Sequence, residues 1–335
     1  DIPATTGSYA CTTLHDSVNM DRYITLTVAD GVGVYLDFRA AADNTHIRIV
    51  SGSNIQNITI GTNWLSLASY IADGTEMKIY GDLTVLDCGN NGANIQALDV
   101  TKNTALTELY CHRNQLTALD VTKNTALTVL YCYRNQLTAL DVTKNTELAK
   151  LFCGSNKLSS LDVTKNTKLT KLRCFFNNLS TLDVTKNTQL VELNCHSNRF
   201  TSLDVTNNTM LKELICRDNR LTSLDIRRNT QLEKLHCYGN AFSTASLDTI
   251  FCSLPDRLPA DMAKICPLVN DSDPNKAIVL ATNKQNAIAK NWKVQYQSTS
   301  TDIPATTGSY VCSSSGGGNN VNMSSYIKLT VKSGE

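Results

Sequence analysis

The sequence predicts a mainly β solenoid, and three observations carry that prediction. A 21-residue unit repeats from Leu98 to about Asn240, as in LDVTKNTALTELYCHRNQLTA followed by LDVTKNTALTVLYCYRNQLTA. Each copy places a cysteine at one position: Cys111, Cys132, Cys153, Cys174, Cys195, Cys216 and Cys237, with Cys88 as a forerunner. No proline falls between Pro3 and Pro255, which suits a parallel ladder in which every amide donates. A fixed period of this length means that each unit buries its apolar face only by stacking on its neighbours.

Each part of the unit follows from its residues. Leu109 and Cys111 alternate with Glu108, Tyr110 and His112, the period-2 pattern of a strand with the first pair facing inward. Asn114 ends the strand, and its amide is suited to bond the turn and the adjoining coil. Its counterparts are Asn91, Asn135, Asn156, Asn177, Asn198, Asn219 and Asn240. Leu119 and Val121 return inward, while Asp120 and Asn124 read as turn and cap formers that satisfy local backbone donors. The return path is only about ten residues, too short for a full helix, so 3₁₀ or extended segments are expected on the convex side.

The flanks read differently. Residues 1–82 are expected to form an N-terminal β module or cap, with strand-like runs at 23–28, 32–40, 45–50, 57–60 and 76–80. Residues 83–240 are the solenoid of about eight coils, the first with a return loop two residues longer. Residues 241–298 are a mixed α/β C-terminal cap: helix at 246–255, strand at 277–282, helix at 283–291, strand at 292–296. DIPATTGSYAC at 1–11 returns as DIPATTGSYVC at 302–312, and VNMDRYITLTV at 18–28 as VNMSSYIKLTV at 321–331. Residues 299–335 therefore read as the truncated start of a second N-terminal module, expected to pack poorly unless a sheet edge takes it. Modules of this kind strung along a longer protein are the expectation, with a monomeric chain.

Composition narrows the function. Lys and Arg number 31 against 30 Asp and Glu, so no basic field recruits nucleic acid. No apolar run approaches the ~18 residues of a transmembrane helix. Eight cysteines occupy apolar positions, and no CxxC occurs. Stacked strands bring such cysteines to about 5 Å, but parallel Cβ vectors disfavour bridges, so buried free thiols are expected. Cys252 and Cys266, outside the ladder, are the pair expected to be able to bridge. His112 and His196 stand about 19 Å apart at the strand spacing, and His236 about 10 Å further, so they share no metal. No nucleophile has a histidine placed to activate it, and the isolated Glu108, Glu192 and Glu213 form no carboxylate pair; no catalytic residue, metal or cofactor is expected.

The motif LxxLxCxxNxL followed by TxLDVTxNTxL resembles leucine-rich-repeat proteins of the cysteine-ladder, internalin-J-like type. The match covers 83–240, and KIYGDLTVLDC before it and LDTIFCSLPDR with VLATNKQNA after it resemble the flanking caps of those proteins. One departure is that the internalin N-terminal cap is helical, whereas 1–82 reads as β. The resemblance implies a curved solenoid with a parallel sheet on its concave side. It also implies secretion to a bacterial cell surface or outer-membrane anchor, and adhesion to a protein or glycan.

The concave sheet is the expected recognition surface, because its outward positions vary while the core does not. Before each ladder cysteine the candidates are Tyr110, Tyr131, Phe152, Arg173 and His236. After it come His112, Tyr133, Phe175, His196, Arg217 and Tyr238, then Arg113, Arg134 and Phe176. These are hot-spot residue types, and an exposed aromatic band on a plain surface is unusual. The competing reading is that the rings stack across strands and stabilise the sheet without a ligand, leaving the solenoid as a spacer for other modules. The column Lys102, Lys123, Lys144, Lys165 and Lys186 runs beside an aspartate column and reads as a solvated, charge-balanced face.

Overall fold

The structure, a computed structural model, describes residues 18–312. Cys11, the rest of 1–17, and 313–335 with its share of the second module copy lie outside the described residues. Ten strands precede or open the coils: β1 (Tyr23–Val28), β2 (Gly33–Arg39), β3 (Thr45–Ser51), β4 (Asn54–Ile60), β5 (Ala68–Ile71), β6 (Glu76–Tyr80), β7 (Val85–Asp87), β8 (Ile95–Asp99), β9 (Glu108–Tyr110) and β10 (Val129–Tyr131). The repeat continues through β11 (Lys150–Phe152), β12 (Lys171–Arg173), β13 (Glu192–Asn194), β14 (Glu213–Ile215) and β15 (Lys234–His236). The cap holds α1 (Thr244–Ser253), β16 (Lys264–Leu268), α2 (Lys276–Leu280), α3 (Gln285–Ile288) and β17 (Lys293–Tyr296).

Two sheets result. A five-stranded sheet runs β4-β3-β6-β1-β8, and a 12-stranded sheet runs β17-β16-β15 through β9, then β7-β2-β5. The coils pair parallel and in strict register: Leu109, Leu130, Leu151, Leu172, Leu193, Leu214 and Leu235 form one line. Two strands of the N-terminal module, β2 and β5, continue this sheet antiparallel beyond β7. The extra residues of the first coil are explained by a short 3₁₀ turn, Gly92–Asn94, that feeds β8 onto β1. In the regular coils the return side is extended residues joined by turns.

The core is one continuous apolar body from Ile24 to Ile303. In each coil residues such as Leu106, Leu109, Cys111, Leu116 and Val121 are fully buried. A buried leucine contributes about 2 kcal/mol of transfer free energy. The ladder cysteines are free and buried as expected. Burial pushes the Cys153 and Cys216 thiols up to about 12, so almost no thiolate, the reactive form, exists at neutral pH.

Two asparagine ladders hold the turns. Asn135 donates from Nδ2 to the carbonyls of Cys132 (3.0 Å) and Cys111 (2.9 Å), and its Oδ1 accepts from Leu116 N (3.0 Å). Asn124 belongs to a second ladder, which corrects its reading as a local cap. It is fully buried, and its Nδ2 donates across to Val100 O (3.1 Å) and Asn103 O (2.7 Å) of the preceding coil. The local capping falls to the aspartates: Asp120 Oδ1 accepts from Thr122 N and Oγ1 at 2.8 and 2.7 Å.

The C-terminal cap departs from expectation in three places. The stretch 277–282, read as a strand, is helix α2 over its first four residues. Asp273, accepting from Val269 N and Asn275 N, turns the chain into it, and only Val279 within it is buried. The run KICPL was missed and forms β16, which extends the parallel ladder. Cys252 is bonded not to Cys266 but to Cys312, with Cα atoms 5.5 Å apart. Cys266 instead stands in β16 opposite His236, buried and free.

Residues 302–312 also pack better than expected, and the sheet edge is the reason. Asp302 bridges antiparallel to Gln295 on β17, the outer strand. Ile303 is 1% exposed and donates to Val294 O at 2.9 Å. Thr307 N and Gly308 N then bond Leu280 O and Thr282 O at 2.8 and 3.1 Å.

Candidate ligand-binding face

Three side chains per coil reach the concave face from the strand: those at the positions of Glu108, Tyr110 and His112, which alternate with the buried Leu109 and Cys111. Because the coils are in register, each position becomes a column across the sheet.

The column of Tyr110 is a continuous stack. The Arg39 guanidinium lies 4.5 Å from the centre of the Trp64 ring, and Trp64 stands 5.9 Å from Tyr110. Tyr110 meets Tyr131 edge-on at 5.0 Å, and Tyr131 stacks on Phe152 at 4.2 Å. Arg173 then covers Phe152 at 4.5 Å and bonds Glu192, which Lys171 also approaches at 3.4 Å. Stacked rings and cation–ring contacts each contribute about 1 kcal/mol, so the series is ordered before any ligand arrives. Burial, and then the bond from its hydroxyl to Glu108, pushes the Tyr110 phenol well above its ordinary range. Burial alone would raise Glu192, but the bond and charge of Arg173 outweigh it and hold the carboxyl below its usual range.

The column of His112 divides into two leaning stacks, each starting on a glycine. A Cβ on Gly89 would lie 2.5 Å from the His112 ring, and one on Gly154 would lie 2.9 Å from Phe175. Glycine therefore lets each ring lie down over the preceding coil. Tyr133 stacks on His112 at 4.7 Å, and His196 on Phe175 at 5.0 Å. Arg217 bonds His196 Nε2 at 3.2 Å and lies 5.3 Å from the Tyr238 ring centre.

The expected open aromatic band is thus only partly open. His112, His196, His236 and Tyr238 are buried by their own neighbours, so they support the face and are not offered to a ligand. Tyr110, Tyr131, Tyr133, Phe152, Arg173, Phe175 and Arg217 are half-buried; Arg113, Arg134 and Phe176 are exposed. Those last three sit in the left-handed region, at φ 54°, 56° and 48°. A non-glycine residue there is strained, and glycine fills this position at Gly239. Phe176, 54% exposed, projects from its strained position against Phe175 and His196.

Sequence reasoning missed Trp64 and Arg39. Trp64 lies in a segment without period, GTNWLSL, and reaches the face because the buried Asp37 carboxylate accepts from Leu65 N and Ser66 N at 3.1 and 3.4 Å. The carboxylates Glu192 and Glu213 also prove to be register neighbours, each neutralised by its own cation. Among the described residues no three His, Cys, Asp or Glu converge as a metal site, and no helix is long and apolar enough to cross a membrane.

The buried histidines make stability depend on pH. Burial first, then the Arg217 charge, depresses His196 to about 4. Burial, then Lys234, Lys264 and Arg217, depresses His236 to about 3. An unfolded histidine titrates near 6.5. Between these values the unfolded chain binds protons that the folded chain does not, so stability falls as pH drops from about 6.5 toward 4. The melting temperature is expected to fall over that range, and the His196→Gln/His236→Gln variant to show a shallower fall. Parallel melting curves for the two proteins would refute the assignment.

No protein-family model matches the chain, and no curated protein matches it. Solved structures do resemble it. The functional domain of InlJ from Listeria monocytogenes, which includes a cysteine ladder, is 30% identical over 68% of this chain and 56% of its own, with a TM-score of 0.47. The internalin InlF of the same organism is 28% identical over 43% and 46%, with a TM-score of 0.41. A leucine-rich-repeat protein of Leptospira interrogans is 19% identical over 59% and 56%, with a TM-score of 0.43. The chain thus spans about half the length of the structures it resembles. Its own 21-residue period, paired asparagine turns and cysteine column in one register decide the type: the chain is a leucine-rich-repeat solenoid of the cysteine-ladder type.

Proposed function

We propose that this protein is a non-catalytic adhesion protein, displayed outside the cytoplasm at a bacterial surface, that holds a protein or glycan on its concave face. The observation that carries this reading is the preordered series Trp64, Tyr110, Tyr131, Phe152 and Arg173, flanked by the strained and exposed Phe176. Rigid aromatic and arginine side chains bind with little loss of rotamer freedom, which is why they dominate hot spots. Sugar rings and apolar side chains both stack on such surfaces. The Cys252–Cys312 disulfide supports an oxidising compartment, since such bonds are rare where thiols are kept reduced. The ladder thiols tolerate that compartment because they are buried.

A spacer role is favoured by one observation, the burial of His112, His196, His236 and Tyr238 in self-satisfied stacks. An array of glycans and extracellular proteins separates the two readings, probed with the wild type and with the Tyr110→Ala/Tyr131→Ala/Tyr133→Ala/Phe175→Ala variant. Signals lost in the folded variant support concave binding. Signals unchanged by it support the spacer.

A further inference from the structure

The segment 302–312 is more than a tail on the cap. Its Ile303 fills the apolar layer beside Val294, and Lys284 Nζ bonds the carbonyls of Ile303 and, at 3.0 Å, Pro304. Thr306 Oγ1 accepts from Lys284 N at 3.2 Å, and Tyr310 O accepts from Asn283 and Asn286 at 2.9 and 3.0 Å. Gly308 passes so close to the α2–α3 turn that a Cβ there would lie 2.3 Å from Ala281 O. Cys312 then locks the segment to Cys252 on α1.

Residues 1–11 repeat this segment with one change, Ala10 in place of Val311. Ile2, Thr5, Thr6, Gly7, Tyr9 and Cys11 thus reproduce the residues through which 303–312 engages the cap. The one altered position is one the cap does not read, because Val311 is 80% exposed. Two segments that agree at every contacting position fit the same groove.

We propose that residues 1–11 are a clasp for the C-terminal cap of another copy of this module, with Cys11 bonded to that copy's equivalent of Cys252. Modules would then join head to tail through an inserted, covalently locked segment rather than through a loose linker. The first strand of the β module, β1, begins at Tyr23.

The test uses the full chain carrying Cys11→Ser, Cys312→Ser and Gly308→Val, which vacates the groove and frees Cys252. It is incubated with a synthetic peptide of residues 1–11 and glutathione disulfide as oxidant. The peptide thiolate displaces one glutathione thiolate; the Cys252 thiolate then attacks the peptide sulfur and displaces the second. One S–S bond replaces another at each step, and two electrons end on glutathione. Peptide mapping by mass spectrometry should find the peptide on Cys252. Labelling should be at least about tenfold faster than with the same peptide carrying Ile2→Asp and Gly7→Val, the factor that burying one isoleucine supplies. Should the triple variant fail to fold, the Cys11→Ser/Cys312→Ser chain serves. Its segment 302–312 is no longer covalently held, so excess peptide competes for the groove and bonds Cys252 by the same two exchanges, again faster than the altered peptide. Equal labelling by both peptides, or none by either, overturns the proposal.

Discussion

Replacing Asn156 by alanine is expected to destabilise the solenoid by about 3 kcal/mol, because the buried Leu137 amide is left without a partner and two buried carbonyls each lose one of their two amide donors, keeping only those from Asn135 and Asn177. Asn156 Nδ2 donates to Cys132 O and Cys153 O, both at 3.0 Å, and its Oδ1 accepts from Leu137 N at 3.0 Å. Water cannot replace these bonds, since neighbouring coils close over the turn and Leu137, Cys132 and Cys153 are all fully buried. Asn156→Asp should be damaging as well. It keeps the acceptor for Leu137 but turns a carboxylate toward two carbonyls. The exposed neighbour Lys157, changed to alanine, should shift stability by no more than about 0.5 kcal/mol. Chemical denaturation read by circular dichroism checks all three. A lesion in mid-stack weakens two interfaces between coils, so a transition that broadens or splits is part of the expected result. An Asn156→Ala protein as stable as Lys157→Ala would show that the ladder does not hold the turns.

The second large effect is on binding. Alanine at Tyr110, Tyr131, Tyr133 and Phe175 removes four of the rings that form the concave columns. A single hot-spot ring contributes about 2 kcal/mol or more, so even with strong non-additivity the affinity should fall at least about 100-fold. Stability should change much less, because these rings are half-exposed and the inward leucines and cysteines beneath them are untouched. Titration of an array-selected ligand against wild type and variant, with a melting curve for each, reads both quantities. Retained affinity in a folded variant would remove the concave face from the account.

Much of this was legible because a period fixes orientation. Once Cys111 and its counterparts are placed inward, Leu109 must be inward and Tyr110 and His112 outward, and the structure keeps that alternation in every coil. Outward, however, does not mean accessible. Gly89 and Gly154 let neighbouring rings fold down, and so His112 and His196 are buried although their strand parity points them to solvent. The role of Asn124 was hidden because the same amide can cap its own turn or bond the preceding coil, and only stacking decides between them. Outside the period, local pattern was weaker evidence. The β-branched run AIVLAT reads as a strand, yet packing against α1 and β16 makes its first four residues part of a helix. The partner of Cys252 lay in the repeated segment at Cys312, where the duplication marked the cysteine but not what it bonds. Trp64 carried no signal, since a buried aspartate 27 residues upstream holds its loop.

The concave-face claim is tested most directly by photo-crosslinking. A benzophenone side chain replaces Phe176, which is exposed at the concave edge, or Lys165, which is exposed on the return side. Irradiation with the array-selected ligand should give a covalent adduct from position 176 and none from position 165. Adducts from 165 and not 176, or from neither while binding persists, would contradict the account.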